Sequence, residues 1–141
     1  DDAVCAVRSA LEEGILPGGG IALHNSIESV IERHLLSDDD DLVAAANILI
    51  SSLGSPLRQI LLNAGTSFED VYHYEWHKGL APYSTEGYDV KNRKYGNLID
   101  MGVIDPLKVT KVALQNAVSV AVTILSTNAI ITMARSYESE L

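Results

Sequence analysis

The residues with the clearest chemical potential form a glycine triplet, Gly18-Gly19-Gly20, between two stretches of helical pattern. Because glycine has no Cβ, the backbone N–H groups of such a turn can approach a phosphate or a nucleobase closely. The triplet is not a Walker A loop, since no Gly-Lys-Ser/Thr follows it, and it does not fit the dinucleotide-binding fingerprint. Taken alone, it indicates a structural turn more often than a ligand site.

Other reactive side chains give weaker signals. His73 and His77 are four residues apart and would share one face of a helix, but no third metal ligand is evident. Cys5 lies in a helical pattern without a neighbouring base. The aspartates of residues 38–41 lack the alternation of calcium ligands and are interpreted as a loop that caps a helix. The sequence therefore predicts no metal site and no nucleophilic active site of its own.

Composition excludes some classes of function. The chain has 141 residues, of which 47% are hydrophobic, and a net charge of −9. This length and this share of hydrophobic residues are enough to bury the core of one ordinary domain. Binding to a phosphate backbone needs clustered Lys and Arg, which the sequence lacks, so we expect no nucleic-acid partner even near the aromatic residues of 72–83.

One stretch requires a test for membrane insertion, because residues 112–134 contain no Asp, Glu, Lys or Arg. Gln115, Asn116 and Ser119 would lack partners in hydrocarbon, so a buried helix followed by a strand is predicted and no membrane partner is expected. A single cysteine and the lack of a signal peptide favour the cytoplasm. Because the sequence starts directly in a helical pattern without Met, we expect it to be a fragment.

Helices are predicted where apolar spacing coincides with caps and breakers. They cover residues 2–13, 21–34, 42–53 and 55–63, with a shorter helix from Ser67. Residues 87–90 and 95–99 flank a polar turn and predict a β-hairpin. Asp105 is predicted as the N-cap, and Pro106 as the first residue, of a helix that ends near Leu125.

That last helix is apolar on nearly every side, which is typical of a core centre or a subunit interface. The β-branched residues after it predict a strand over residues 128–134 with no evident partner in this chain. The predicted fold class is mainly α, a multi-helix domain with a small β-hairpin and a C-terminal β-strand.

Three stretches in this order resemble the C-terminal part of group I (GroEL-type) chaperonins. They are residues 8–22 (RSALEEGILPGGGIA), preceded by Asp2-Ala3, residues 55–65 (SPLRQILLNAG) and residues 95–110 (YGNLIDMGVIDPLKVT). The resemblance spans nearly the whole chain. It implies the chaperonin equatorial fold, with residues 1–17 ending the intermediate domain and residues 18–141 forming the C-terminal part of the equatorial ATP-binding domain.

The resemblance also implies roles for individual residues. Asp2 matches the catalytic aspartate that aligns the water attacking ATP. Gly19 matches the glycine whose backbone contacts the nucleotide, and Asp105 matches the aspartate that hydrogen-bonds the ribose hydroxyls. These assignments agree with the chemistry of a carboxylate and of an exposed glycine backbone.

The adenine pocket departs from the family pattern. Asp89, Val90 and Val103 fall where the family lines this pocket, but Asp89-Val90-Lys91 stands in place of Asn-Ala-Ala. The segment from residue 68 to residue 86 is longer and more aromatic than the family pattern. The phosphate-binding DGTTT loop and the aspartates that hold Mg²⁺ belong to the N-terminal part of such a subunit and have no counterpart here.

The resemblance therefore predicts an ATP-hydrolysing protein-folding subunit with ATP and Mg²⁺ as cofactors, although this chain alone is not expected to turn over ATP. Its expected partners are identical subunits in a ring. Unfolded client proteins would bind the apical domain, which this sequence lacks. The need for a co-chaperonin is left open. An organelle matrix or an infected host cell is left open as an alternative location. The alternative is a non-catalytic oligomerisation module derived from a chaperonin equatorial domain.

Overall fold

The computed structural model describes residues 2–76, 84–129 and 131 and shows a mainly helical fold. In chain order its elements are α1 (Asp2–Glu13), β1 (Ile15–Pro17), α2 (Ile21–His34), α3 (Asp40–Leu53), α4 (Ser55–Asn63), α5 (Phe68–Trp76), β2 (Glu86–Asp89), β3 (Lys94–Asn97), β4 (Ile104–Pro106) and α6 (Leu107–Leu125). The predicted fold class and the hairpin are confirmed. The predicted strand over 128–134 includes residues 130 and 132–134, which lie outside the described part.

Local signals explain where the helices begin and end. The Asp39 carboxylate accepts hydrogen bonds from the backbone N–H groups of Asp41 (3.0 Å) and Leu42 (3.3 Å), so α3 begins at residue 40, two residues earlier than predicted. Pro56 lies in the first turn of α4, where its missing N–H costs nothing. Gly65, with φ of 73°, follows the end of that helix.

The strands β1 and β4 form a two-stranded antiparallel ribbon that the sequence patterns did not predict. Its register pairs Ile15 with Pro106, Leu16 with Asp105 and Pro17 with Ile104. The Gly18 N–H donates to the Val103 carbonyl over 2.9 Å and extends this contact by one residue. The ribbon thereby joins the glycine turn to the segment that precedes α6.

This ribbon overturns the prediction that Asp105 caps α6. Asp105 is extended within β4, and the helix begins at Leu107. The N-cap residue is Pro106, whose ring has no atom that can accept a capping hydrogen bond. The Leu107 N–H instead donates to the Gly14 carbonyl over 3.1 Å. Pairing with β1 holds residues 104–106 extended, so tertiary hydrogen bonding overrides the local capping preference.

The core lies where α2, α4 and α5 meet the hairpin and the loop that follows it. Its buried members are Ile21, Leu57, Leu61, Tyr72 and Leu98. The Tyr72 hydroxyl accepts a hydrogen bond from the Tyr88 N–H over 3.4 Å, and burial raises the pKa of Tyr72 to about 12. An aromatic side chain with a satisfied hydroxyl thus ties α5 to β2.

The helix α6 does not form a core centre within the described residues, contrary to one of its two predicted placements. None of its residues is buried, and Leu125 is 80% exposed. Its placement at a subunit interface stays a prediction. In the part of the chain that the structure describes, no helix is long and apolar enough to cross a membrane.

Two ion pairs join the last turn of α1 to the start of α6. The Lys108 ammonium donates to Glu12 and the Lys111 ammonium donates to Glu13. The hydrogen bond to Glu12 is the main cause that raises the pKa of Lys108. Because all four side chains are partly exposed, solvent screens both pairs, and they orient α1 more than they stabilise it.

The glycine turn yields a first prediction. Gly20 has φ of 80°, and a Cβ there would lie 2.8 Å from the Leu57 backbone nitrogen. Gly20→Ala should therefore lower the free energy of unfolding by ~2–4 kcal/mol in urea denaturation, through left-handed strain and overlap with α4. Gly19→Ala is the control, since φ is 67° but no atom lies within 4 Å, and it should cost only ~1 kcal/mol. Equal losses for the two variants would contradict the close contact with α4.

Candidate functional site

The β1–β4 ribbon brings the glycine turn and Asp105 to the same place in the fold. Asp105 pairs with Leu16, and two residues after Leu16 the turn begins at Gly18. Gly19 faces open space, and among the described residues no backbone acceptor receives the N–H groups of Gly19 and Gly20. These donors stand at the start of the 14-residue helix α2, which has no side-chain cap. Such an N-terminus favours an anionic or hydrogen-bond-accepting ligand.

Asp105 is partly buried, and its only perturbation is the loss of solvent. Burial raises the pKa of the Asp105 carboxyl above its ordinary value, and no hydrogen bond from another described residue offsets this effect. A carboxylate has about four acceptor positions, and those of Asp105 remain open to donors from a ligand. The two hydroxyls of a ribose are donors of this kind.

Asp89, at the end of β2, has the opposite environment. It is only 4% exposed, and its Oδ1 accepts from the backbone N–H groups of Lys91 (2.9 Å) and Asn92 (3.3 Å). Its Oδ2 accepts from the Asn92 side-chain amide over 2.5 Å, and this hydrogen bond is the main cause that lowers the pKa of Asp89. The carboxylate therefore stays ionised and is engaged by its own turn.

The two valines of the predicted site share one apolar surface. Val90 and Val103 both pack against the core cluster formed by Ile21, Leu57, Leu61, Tyr72 and Leu98. The Val103 N–H donates to the Leu98 carbonyl over 2.8 Å, while its carbonyl accepts from Gly18. Val103 thus links the core to the glycine turn.

Asp2 lies apart from this group. It is the exposed first residue of α1, which has 12 residues, so about 16 Å of helix axis separates it from Glu13. The strand β1 and the glycine turn follow Glu13 at the other end of that helix. The structure therefore brings together the segments that hold Gly19, Asp105 and Val103, but it places Asp2 at the opposite end of α1.

A cleft of about 420 Å³ lies between α2 and α6. Its lining is mostly apolar and includes Leu16, Leu23, Leu107 and Leu114, with none of the predicted site residues. We place the candidate site at the glycine turn and not in this cleft, because the open backbone donors of the turn and the Asp105 carboxylate, which has no hydrogen-bond partner among the described residues, belong to adjoining segments there. Within the described residues, no three His, Cys, Asp or Glu side chains converge as metal ligands.

Sequence reasoning missed the ribbon and the two ion pairs. Strands of three residues are too short to show alternation, and their pairing is non-local. The adjacent glutamates at the end of α1 and the lysines at 108 and 111 carry opposite charges, but the sequence does not show that the two helices that bear them lie side by side.

Comparison with known proteins identifies the class of fold first. Residues 1–135 match the TCP-1/cpn60 chaperonin family. Since this match covers nearly the whole sequence, the chain belongs to the TCP-1/cpn60 chaperonin family.

A solved structure supports the same conclusion. The chain is similar to a crystal structure of a group III chaperonin in the open state, with a TM-score of 0.67 and 28% sequence identity. The alignment covers 87% of this chain and 25% of that chain, so the sequence spans about a quarter of the chaperonin it matches. The predicted chaperonin relationship is confirmed, whereas the domain boundary at residue 17 and the individual site residues stay predictions.

The environment of Asp105 generates a prediction for pH dependence. Its pKa is raised in the folded state, so the folded protein holds this proton more tightly than the unfolded chain does, and stability falls as the pH rises from the unfolded value near 3.9 through the folded pKa. Asp105→Asn removes this loss. The variant should melt at a higher temperature than wild type at pH 7, and thermal denaturation should show the difference shrinking as the pH falls toward about 4. A difference independent of pH would contradict the assignment.

Proposed function

We propose that this chain is part of an ATP-dependent chaperonin subunit that assists protein folding, and that it supplies one side of the nucleotide site. The observation that carries the proposal is the β1–β4 pairing, which joins the glycine turn, with the open backbone of Gly19, to the segment that holds the partly buried Asp105 carboxylate, in a member of the chaperonin family. Donors for phosphate oxygens and an acceptor for sugar hydroxyls are what a nucleotide requires.

Each group at the turn has a distinct part in binding. The Gly19 backbone approaches the nucleotide without a side chain to block it. The Asp105 carboxylate accepts hydrogen bonds from the ribose hydroxyls, which replace the water that burial removed. Val90 and Val103 form the side of the pocket that receives adenine, and Asp89 lies next to Val90 at the end of β2.

Asp2 is proposed as the catalytic residue. ATP supplies the phosphoryl group, and a carboxylate can orient the attacking water and accept its proton. Because Asp2 lies at the end of α1, it must reach the nucleotide by movement of that helix relative to the glycine turn. Mg²⁺ would be held by aspartates of the N-terminal part of the subunit, outside this chain.

We further propose the group I type, since the three sequence stretches resemble that group, although the solved relative at 28% identity is a group III chaperonin. The complete protein would form rings of identical subunits in the cytoplasm. It would bind unfolded client proteins, and any co-chaperonin, through an apical domain. The boundary between the intermediate and equatorial domains would lie near residue 17.

One observation favours the alternative of a non-catalytic oligomerisation module. The helix α6 exposes Val118, Val120, Val122 and Leu125 among its described residues, and an apolar surface of this kind is typical of assembly. Assembly and catalysis are compatible, so the two proposals are separated by the role of Asp2.

The proposed catalytic role predicts the effect of Asp2→Ala in the complete gene product. The rate of ATP hydrolysis should fall by about 10²-fold or more, while the dissociation constant for ATP changes by less than about threefold, because the water-orienting group is lost and no binding contact is. Coupled-enzyme assays and titration calorimetry would measure the two quantities. Asp100→Ala, at an exposed aspartate, is the control. Absence of nucleotide binding in the wild-type protein would favour the oligomerisation module.

The proposed ring predicts a different effect at the C-terminal end. Ile131→Pro should reduce the assembled mass in light scattering, because proline removes a backbone donor that a strand paired with a neighbouring subunit needs. Ile131→Val is the matched control, since it keeps the N–H group and a β-branched side chain. Unchanged mass for Ile131→Pro would mean that this segment is not an inter-subunit element.

A further inference from the structure

The turn between β2 and β3 is built around the Asp89 side chain. Asp89 pairs with Lys94 at the ends of the two strands, and residues 90–93 form the connection. Arg93 has φ of 51°, a left-handed conformation that is strained for a non-glycine residue. A strained turn of this kind persists where other contacts hold it in place.

The contacts that hold it are three hydrogen bonds to one carboxylate. Two come from the backbone N–H groups of Lys91 and Asn92 and one from the Asn92 amide. Asp89 is a buried residue, and a buried carboxylate is tolerated only with such donors. All three donors belong to the turn itself, so the hydrogen-bonding capacity of Asp89 is directed toward its own loop and is largely used there.

The immediate neighbour of Asp89 is Val90, which packs on the core cluster together with Val103. A change in the turn therefore moves Val90 relative to Val103. If the nucleotide base lies against these two valines, its affinity depends on the turn even when no atom of the turn touches it.

We infer that Asp89 is a positioning residue of the nucleotide pocket and does not contact the base itself. The hydrogen bonds to Asp89 close the 90–93 turn and thereby set Val90 against the base. This inference rests on the proposed function. It predicts that Asp89 and Asn92 act as one unit, because substitution of either residue removes hydrogen bonds from the same turn.

The test compares ATP and GTP hydrolysis by variants of the complete gene product. Asp89→Ala should raise KM for ATP about tenfold and Asn92→Ala about threefold, with kcat within about twofold of wild type. Asp89→Asn keeps an acceptor for the two backbone N–H groups and should lie between wild type and Asp89→Ala. The ratio of kcat/KM for ATP to that for GTP should stay constant, since the apolar contact from Val90 does not distinguish adenine from guanine. Asp100→Ala is the matched control and should behave as wild type.

Each of the following results would overturn the inference. If the Asp89 variants change the ratio of kcat/KM for ATP to that for GTP, while Asn92→Ala keeps the wild-type KM, Asp89 is a base-contacting residue. Less folded protein with unchanged KM in all variants would give the turn a role in stability alone. If Asp89→Ala does not fold, Asn92→Ala and Asp89→Asn still decide between these results. A wild-type protein that does not bind ATP would reject the proposed function along with the inference, whereas ATP hydrolysis that is insensitive to the variants rejects only the inference.

Discussion

The antiparallel pairing of β1 with β4 is the interaction on which the rest of the described structure depends. Three residue pairs join segments far apart in sequence, and two further hydrogen bonds, from Gly18 to Val103 and from Leu107 to Gly14, extend the contact on both sides. Closing so long a loop costs entropy that the ribbon alone cannot recover. The packing of Ile21, Leu57 and Leu98 beside it supplies the compensating burial, so the ribbon and the core form together.

The helices could be predicted because their signals are local. Asp39 caps α3, Pro56 opens α4 and glycine ends or precedes several elements, and each of these acts within one helical turn. The same reasoning failed at Asp105, where Asp followed by Pro is a sound capping signal but pairing with Leu16 prevails. A strand of three residues leaves no periodicity in the sequence, so only the folded chain reveals it.

Burial was harder to predict than secondary structure. His24 stands singly in the sequence and carries no site argument, yet it is only 9% exposed, its ring lies tilted against Phe68 with centroids 5.3 Å apart, and its pKa is lowered mainly by burial. The sequence predicts α6 for a core centre or a subunit interface, and the described residues leave most of the helix exposed. Hydrophobicity identifies a face that requires a partner but does not say whether the partner belongs to the same chain.

The two aspartates of the candidate site show why residue type alone does not assign a role. Asp89 receives three hydrogen bonds, which lower its pKa and leave little capacity for a ligand. Asp105 receives none from the described residues, and burial raises its pKa. A ligand that donates hydrogen bonds gains most at the carboxylate whose solvation is incomplete, since there it replaces lost water without displacing an existing partner. These environments support the proposals that Asp105 binds the ligand and that Asp89 holds the turn beside it.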